Sequence, residues 1–302
     1  MSGFTSVKTP LTVFQVDNPA AVTVDALKKH AFRDIEKGEE TSAGWTSIVD
    51  MLDTSWKKSD PVIGDRLCFA LRVDKRRIQG AVLKKCCMEA ARDLEATGTK
   101  LSRKRRKELK ENIKARLLTS VEAAPVALEL VLNKITGKLF VAGTSAGMLK
   151  KLAERMFNDF GVCLAPYEAQ ADTQRILRGI YDDQVSAAFD GHTYILTETG
   201  QTTLCAADDA KRQIVARHDR TSVDAGLTEA LSFASLAVHM ECEDLQWEFI
   251  INAKLVFSSL KTPAVKKDSA NPDAALLEKL YLMEQAVGVV HTLFEAQPAG
   301  NS

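Results

Sequence analysis

The stretch Val82–Leu118 constrains this chain more than any other. Two amphipathic helical periods are joined there by the turn Thr97-Gly98-Thr99. On the first, Val82, Cys86, Ala90 and Leu94 form one apolar row, with Leu83, Cys87 and Ala91 beside it. So broad an apolar face predicts packing against a core. Gly98 lies where a helix C-terminal cap falls. The second period places Leu101, Leu109, Ile113 and Leu117 on one stripe and Ser102 in the N-cap position. From Ser102 to Arg116 it holds eight Lys/Arg and two Glu, a local net charge of +6 in a chain whose total is +0. Cationic charge gathered at one place in a neutral protein points to an anionic partner at that place.

A run of charge is most often a solvated helix face, so its arrangement decides. At 100° per residue, Arg103, Lys107, Lys110 and Lys114 fall within an arc of about 60°. No carboxylate of the same helix shares that arc. A face built for solubility interleaves carboxylates at helical spacing, as the first helix does with Lys85, Glu89 and Arg92. The stripe is roughly 16 Å long at 1.5 Å per residue, enough to meet successive phosphates of a nucleic acid. Helix-turn-helix, zinc-finger and RNP aromatic patterns are not visible, so phosphate contact without base reading is the expected mode.

Around this stretch, strands and helices mix without regular βαβ alternation, which predicts an α+β fold. Phe4–Val16 reads as one or two short strands, Asp25–Glu36 as a helix and Arg66–Arg72 as a strand running into Arg72, Lys75, Arg76 and Arg77. Val126–Asn133 and Lys138–Ala142 form a hairpin through Gly137, a glycine suited to positive φ. Ser145–Phe160 is helical and ends at Gly161, and Val162–Ala165 is a strand stopped by Pro166. Gln170–Tyr181 is helical. His192–Thr197, Thr202–Ala206 and Gln213–Arg217 are short strands, the first two separated by a turn at Glu198-Thr199-Gly200. Leu227–Leu231 is too short to assign. Leu236–Glu241, Leu245–Asn252 and Lys254–Leu260 are consecutive strands, followed by a last helix, Asp273–Glu295. The chain reads as one 302-residue unit, with candidate subdomain boundaries near 166–171 and 220–235.

Catalytic signatures are harder to find. Gly143-Thr144-Ser145-Ala146-Gly147 lies between a strand and a helix, but only three residues separate its glycines where a P-loop needs four, and Met148 follows in place of Lys, so it fails as a phosphate-binding P-loop. Glu108-Leu109-Lys110 matches a nuclease Glu-x-Lys pattern, yet on a helix instead of a strand. Glu241-Cys242-Glu243-Asp244 reads as a hairpin cap, and the five histidines are far apart. No cofactor or metal is implied. The six cysteines have no metal-ligand spacing and sit among apolar residues, which predicts buried free thiols in a reducing cytoplasm. No apolar run is long enough to span a membrane, and the N-terminus lacks the basic and apolar regions of a signal peptide.

The order of these pieces resembles the recombination-associated RdgC family of bacteria. The resemblance rests on the strand leading into Arg72, the helical pair containing LSRKRRKELKENIKARLL, the LELVLNKITGKLFV hairpin and the helix to Val162–Pro166. Gly44-Trp45 and the late pair Leu245–Phe249 and Phe257–Lys261 add to it. It covers nearly the whole chain. The sequence departs from the family at Thr119–Glu122, where a Pro, an Arg and an aromatic residue usually follow the helix, and in parts of Val185–Arg217.

The resemblance implies mixed antiparallel sheets with amphipathic helices in a ring-shaped homodimer without enzymatic activity. Duplex DNA would pass through a basic hole, and the protein would be cytoplasmic and nucleoid-associated, limiting the access of RecA to DNA. On this expectation Arg72, Lys75, Arg76, Arg103, Lys104, Arg106, Lys107, Lys110 and Lys114 face DNA, and Arg217 and Arg220 fall at a second basic stretch. The alternative is a protein–protein scaffold whose basic hairpin binds an acidic partner. A third is a nuclease of unrecognised type.

Overall fold

The first element is a strand in which half-buried residues interrupt a mostly buried run. Thr9–Val16 (β1) buries Leu11, Val13 and Val16, and a 3-10 turn at Pro19–Ala21 leads to a short helix, Val24–Lys29 (α1). The computed structural model of the protein describes residues 3–36, 39–98, 101–209, 211–265 and 272–299. Its further elements, in order, are β2 (Thr41–Thr46), β3 (Val62–Ile63), β4 (Arg66–Arg76), α2 (Gly80–Ala96), α3 (Arg103–Leu118), β5 (Ala123–Asn133), β6 (Lys138–Val141), α4 (Ala146–Phe160), β7 (Leu164–Glu168) and α5 (Thr173–Asp182). Then follow β8 (Gln184–Phe189), β9 (His192–Cys205), β10 (Gln213–Arg217), α6 (Arg220–Thr228), β11 (Ser232–Cys242), β12 (Leu245–Asn252), β13 (Phe257–Lys261), α7 (Pro272–Leu293) and β14 (Gln297–Pro298). Helices and antiparallel strands thus intermix, as the pattern of the sequence requires.

The chain divides into two compact units. The larger comprises Met1–Ala26, Asp60–Phe69 and Leu128–Ser302, and the smaller comprises Leu27–Ser59 and Ala70–Ala127. The stretches 166–171 and 220–235 both lie inside the larger unit. There a large antiparallel sheet runs in the order β10-β9-β11-β12-β13-β1-β6-β5. The β5–β6 hairpin closes through Gly137 at φ 71°, and the Asn133 side chain accepts from the backbone N–H groups of Ile135 and Thr136 at 3.0 Å each. α7 is apolar almost all round, with Leu280, Met283, Val287 and Val290 buried, as a helix inside a core must be. Polar side chains fix it to the strands: Trp247 Nε1 donates to Leu282 O at 2.9 Å, and the Tyr194 hydroxyl to Gln285 Oε1 at 2.6 Å.

In the smaller unit β2 pairs with β4, from Thr41 opposite Lys75 to Thr46 opposite Ala70. Trp45 is fully buried here. The expected helix over Asp25–Glu36 stops at Lys29, because the next residues are needed elsewhere. Ala31 forms a parallel bridge with Trp45, and Phe32 N–H donates to Trp45 O at 2.9 Å. Gly44 permits this approach, since a Cβ there would overlap the backbone of Phe32. Gly44-Trp45 is therefore a packing device.

Other expectations also change. None of the residues of α2 is buried: it packs on α3, whose few apolar side chains cover its broad face only halfway, and Val82 and Met88 stay 42% and 50% exposed. β7 continues through Pro166, whose carbonyl accepts from Ala299 N–H at 2.8 Å. The expected turn at Glu198–Gly200 is instead an irregularity within one 14-residue strand, β9, with Gly200 at φ 95°. Leu227 falls in α6, and β8, unassigned from sequence, pairs with β9 along its length. Of the free cysteines only Cys68 and Cys242 are buried; Cys163, in the loop after Gly161, is exposed.

Candidate nucleic-acid interface

α3 begins as its sequence demands. Ser102 caps it, its hydroxyl accepting from Arg105 N–H at 3.3 Å, and Gly98 at φ 82° ends the preceding turn of chain. Ile113 and Leu118 are buried while Leu109 and Leu117 are half-buried, so the apolar stripe holds the helix in place. The five consecutive residues Arg103, Lys104, Arg105, Arg106 and Lys107 are all exposed, and no acidic residue stands in the first turn. This arrangement opposes the helix dipole, whose positive end disfavours cations by roughly 0.3–1 kcal/mol each at low ionic strength. The residues also repel one another. An anion at this end of α3 would relieve both effects.

The stripe itself is shorter than the helical wheel indicates. Lys114 is half-buried and ion-paired with Glu40, a carboxylate contributed from outside the helix, and that bond raises the ammonium pKa. Arg106 pairs with Glu95 of α2 at 3.2 Å. Arg103, Lys104, Lys107 and Lys110 remain exposed with no ion pair among the described residues. Glu40 also accepts, through its carbonyl, from Arg76 N–H at 2.8 Å. One residue thereby brings the end of β4 beside the C-terminal half of α3.

Arg72 is removed from the candidate contacts. It is 9% exposed, and its guanidinium makes a forked pair with the Asp74 carboxylate at 2.8 and 2.7 Å. It also donates to Met51 O at 3.2 Å and lies 4.0 Å above the Phe32 ring. Sequence placed it in a basic cluster, but the two-residue spacing to Asp74 puts both side chains on one strand face. Stripping one member of such a buried pair costs about 3–5 kcal/mol, which makes Arg72 a structural charge. Lys75 is exposed, and Arg76 is half-buried with Nη1 on Glu36 O at 3.2 Å.

Arg217 and Arg220 belong to the larger unit. Arg217 ends β10 and is exposed without an ion pair among the described residues. Arg220 opens α6, donates to Tyr181 O at 2.8 Å, lies 4.8 Å over the Tyr181 ring and is 3.8 Å from Glu198. Sequence reasoning missed Glu40, because nothing local marks a partner 74 residues away. Among the described residues no group of three or more His, Cys, Asp or Glu is placed to hold a metal ion, and no helix is long and apolar enough to cross a membrane.

An α+β chain with a large antiparallel sheet and an exposed cationic helix is the class these features define. The particular family follows from comparison: residues 9–189 match the family model described as "Putative exonuclease, RdgC", and the chain belongs to the RdgC family. Membership fits a role in recombination. The matched span contains the whole of the smaller unit and all of α3, and ends before Arg217 and Arg220. No curated protein matches the chain.

Proposed function

We propose that the protein binds duplex DNA without base reading and without enzymatic activity, as a ring-shaped homodimer that modulates recombination by limiting the access of RecA to DNA. The observation that carries this reading is the N-terminal half of α3, where five successive exposed cations stand at the positive end of a helix dipole with no carboxylate in the first turn. Phosphates supply the missing negative charge. Lys75, Arg76, Arg103, Lys104, Lys107 and Lys110 are the contacts, with Arg106 and Lys114 available on exchange of their carboxylate partners, since exposed ion pairs contribute only about 0–1 kcal/mol. The half-covered apolar face of α2 supports self-association. Nucleoid association in the cytoplasm accompanies this reading.

If about six phosphates are neutralised, affinity falls with salt at a log–log slope near −5. Salt-titrated fluorescence anisotropy with a random-sequence duplex measures it, and a flat slope or no binding at low salt refutes the reading. The charge reversal Lys107→Glu with Lys110→Glu abolishes binding. On the scaffold alternative it changes only the capture of an acidic protein. The family description favours a nuclease as second reading, and that reading requires chelator-sensitive cleavage of DNA in Mg²⁺ or Mn²⁺.

A further inference from the structure

The larger unit holds a second gathering of nitrogen-bearing side chains, assembled from segments far apart in sequence. Lys8, Arg217 and His218 line one cavity of about 380 Å³ together with Thr199, Gln201 and Ser259. Arg217 and His218 are consecutive, and in an extended strand their side chains would take opposite faces. They reach one cavity because the backbone at His218 is left-handed, with φ 53°, a conformation that is uncommon for a residue with a side chain.

Two contacts hold His218 in that conformation. Its N–H donates to Gly200 O at 2.5 Å. Its imidazole lies against Gly200, where a Cβ would overlap the ring. The irregularity in β9 therefore exists beside the kink that follows β10, and each permits the other. Local strain of this kind costs of order 1–3 kcal/mol and persists where its surroundings over-determine it.

The charge balance in the recess is positive. Glu248 lines it, but its carboxylate bonds Lys261 at 2.8 Å, and that bond, opposed by desolvation and aided by the charges of Lys261 and Lys8, keeps its pKa low. With Glu248 offset by Lys261, the charges of Lys8 and Arg217 remain. Thr199, Gln201 and Ser259 add neutral donors whose side chains have no hydrogen-bond partner among the described residues.

We propose that this recess is an oxyanion site for a phosphate group, with the Arg217 fork and the Lys8 ammonium supplying charge and Ser259 and Thr199 supplying hydroxyl donors. The phosphate belongs either to a nucleic-acid backbone or to a free phosphate compound, which share this chemistry. Only the first source rests on the DNA-binding reading above.

The test compares the parent protein with the double variant Lys8→Ala, Arg217→Ala, both sites being exposed, and with the milder Arg217→Gln. Thermal melts confirm that each folds. Inorganic pyrophosphate is titrated while the His218 imidazole resonances are followed by NMR, and random-sequence duplex is titrated over a range of salt. Pyrophosphate shifts the His218 signals in the parent and not in the double variant. If the phosphate is that of DNA, the double variant also lowers the salt slope by about 2, one per lost contact. A His218 response with an unchanged duplex slope, or with no duplex binding by the parent, assigns the site to free phosphate compounds. Absence of both responses overturns the proposal, whatever Lys107→Glu with Lys110→Glu does to DNA affinity.

Discussion

His291 lies within α7 at 7% exposure, its ring 4.2 Å from that of Tyr167, and its Nδ1 has no hydrogen-bond partner among the described residues. Burial, and then the nearby Lys138 charge, lowers its pKa from 6.5 to about 3. The unfolded chain binds a proton at this residue below pH 6.5, and the folded chain does not until near pH 3. Stability from this group is therefore present above pH 6.5 and is lost as pH falls toward 3. The loss amounts to about 2 kcal/mol by pH 5. His291→Phe keeps a ring against Tyr167 and removes the titration. Urea melts at pH 7 and pH 5 should then show the parent losing about 2 kcal/mol more than the variant, and equal losses would contradict this account. Arg72 solves the same problem differently: it is buried as a charge, and the forked Asp74 pair that raises its pKa keeps it so.

At the scale of elements, α3 trades stability against charge. Its N3 position is Arg105, three residues after the Ser102 cap, where a Glu would complete a capping box with the Ser102 backbone N–H. Arg105→Glu would also complement the dipole and relieve repulsion among its neighbours, so the hairpin should gain roughly 0.5–1 kcal/mol. Duplex affinity should fall in the same variant, with a shallower salt slope. A variant that both destabilises the helix and leaves DNA binding intact would show that the cations serve the fold. Much of this element was legible in sequence: the cap, Gly98, the apolar stripe and the charge count all depend on neighbours within a few residues. What was illegible depends on distant ones. Glu40 meets Lys114 and shortens the stripe, Asp74 buries Arg72 by an alternation that charge counting overlooks, and Trp45 halts α1 by capturing Ala31 and Phe32. The surroundings of β9 misled for a related reason. Glu198-Thr199-Gly200 has turn composition, yet pairing with β11 on either side keeps β9 continuous and converts the turn into an irregularity.

For the whole molecule, total charge is zero, with 40 Lys/Arg against 40 Asp/Glu. Net charge supplies no long-range attraction to DNA, so the proposed binding would rest on local cationic faces, that of α3 first among them. Contacts of that number dissociate readily when salt competes for the phosphates. A closed ring changes this relation, because escape from DNA then needs either a free end or an opened interface. Affinity for a phosphate and retention on a strand become separate quantities. The discriminating measurement loads the protein at low salt onto a relaxed circular plasmid and onto the same plasmid cut once. Both are then moved to a salt concentration at which a short duplex releases it fully. A ring should stay on the circle and leave the linear form by sliding off its ends, and reversing Lys107 and Lys110 to Glu should abolish loading on both. Equal release from circle and line would sink the ring while leaving the proposal of phosphate binding by α3 untouched, since retention on a circle and affinity for a phosphate are separate measurements.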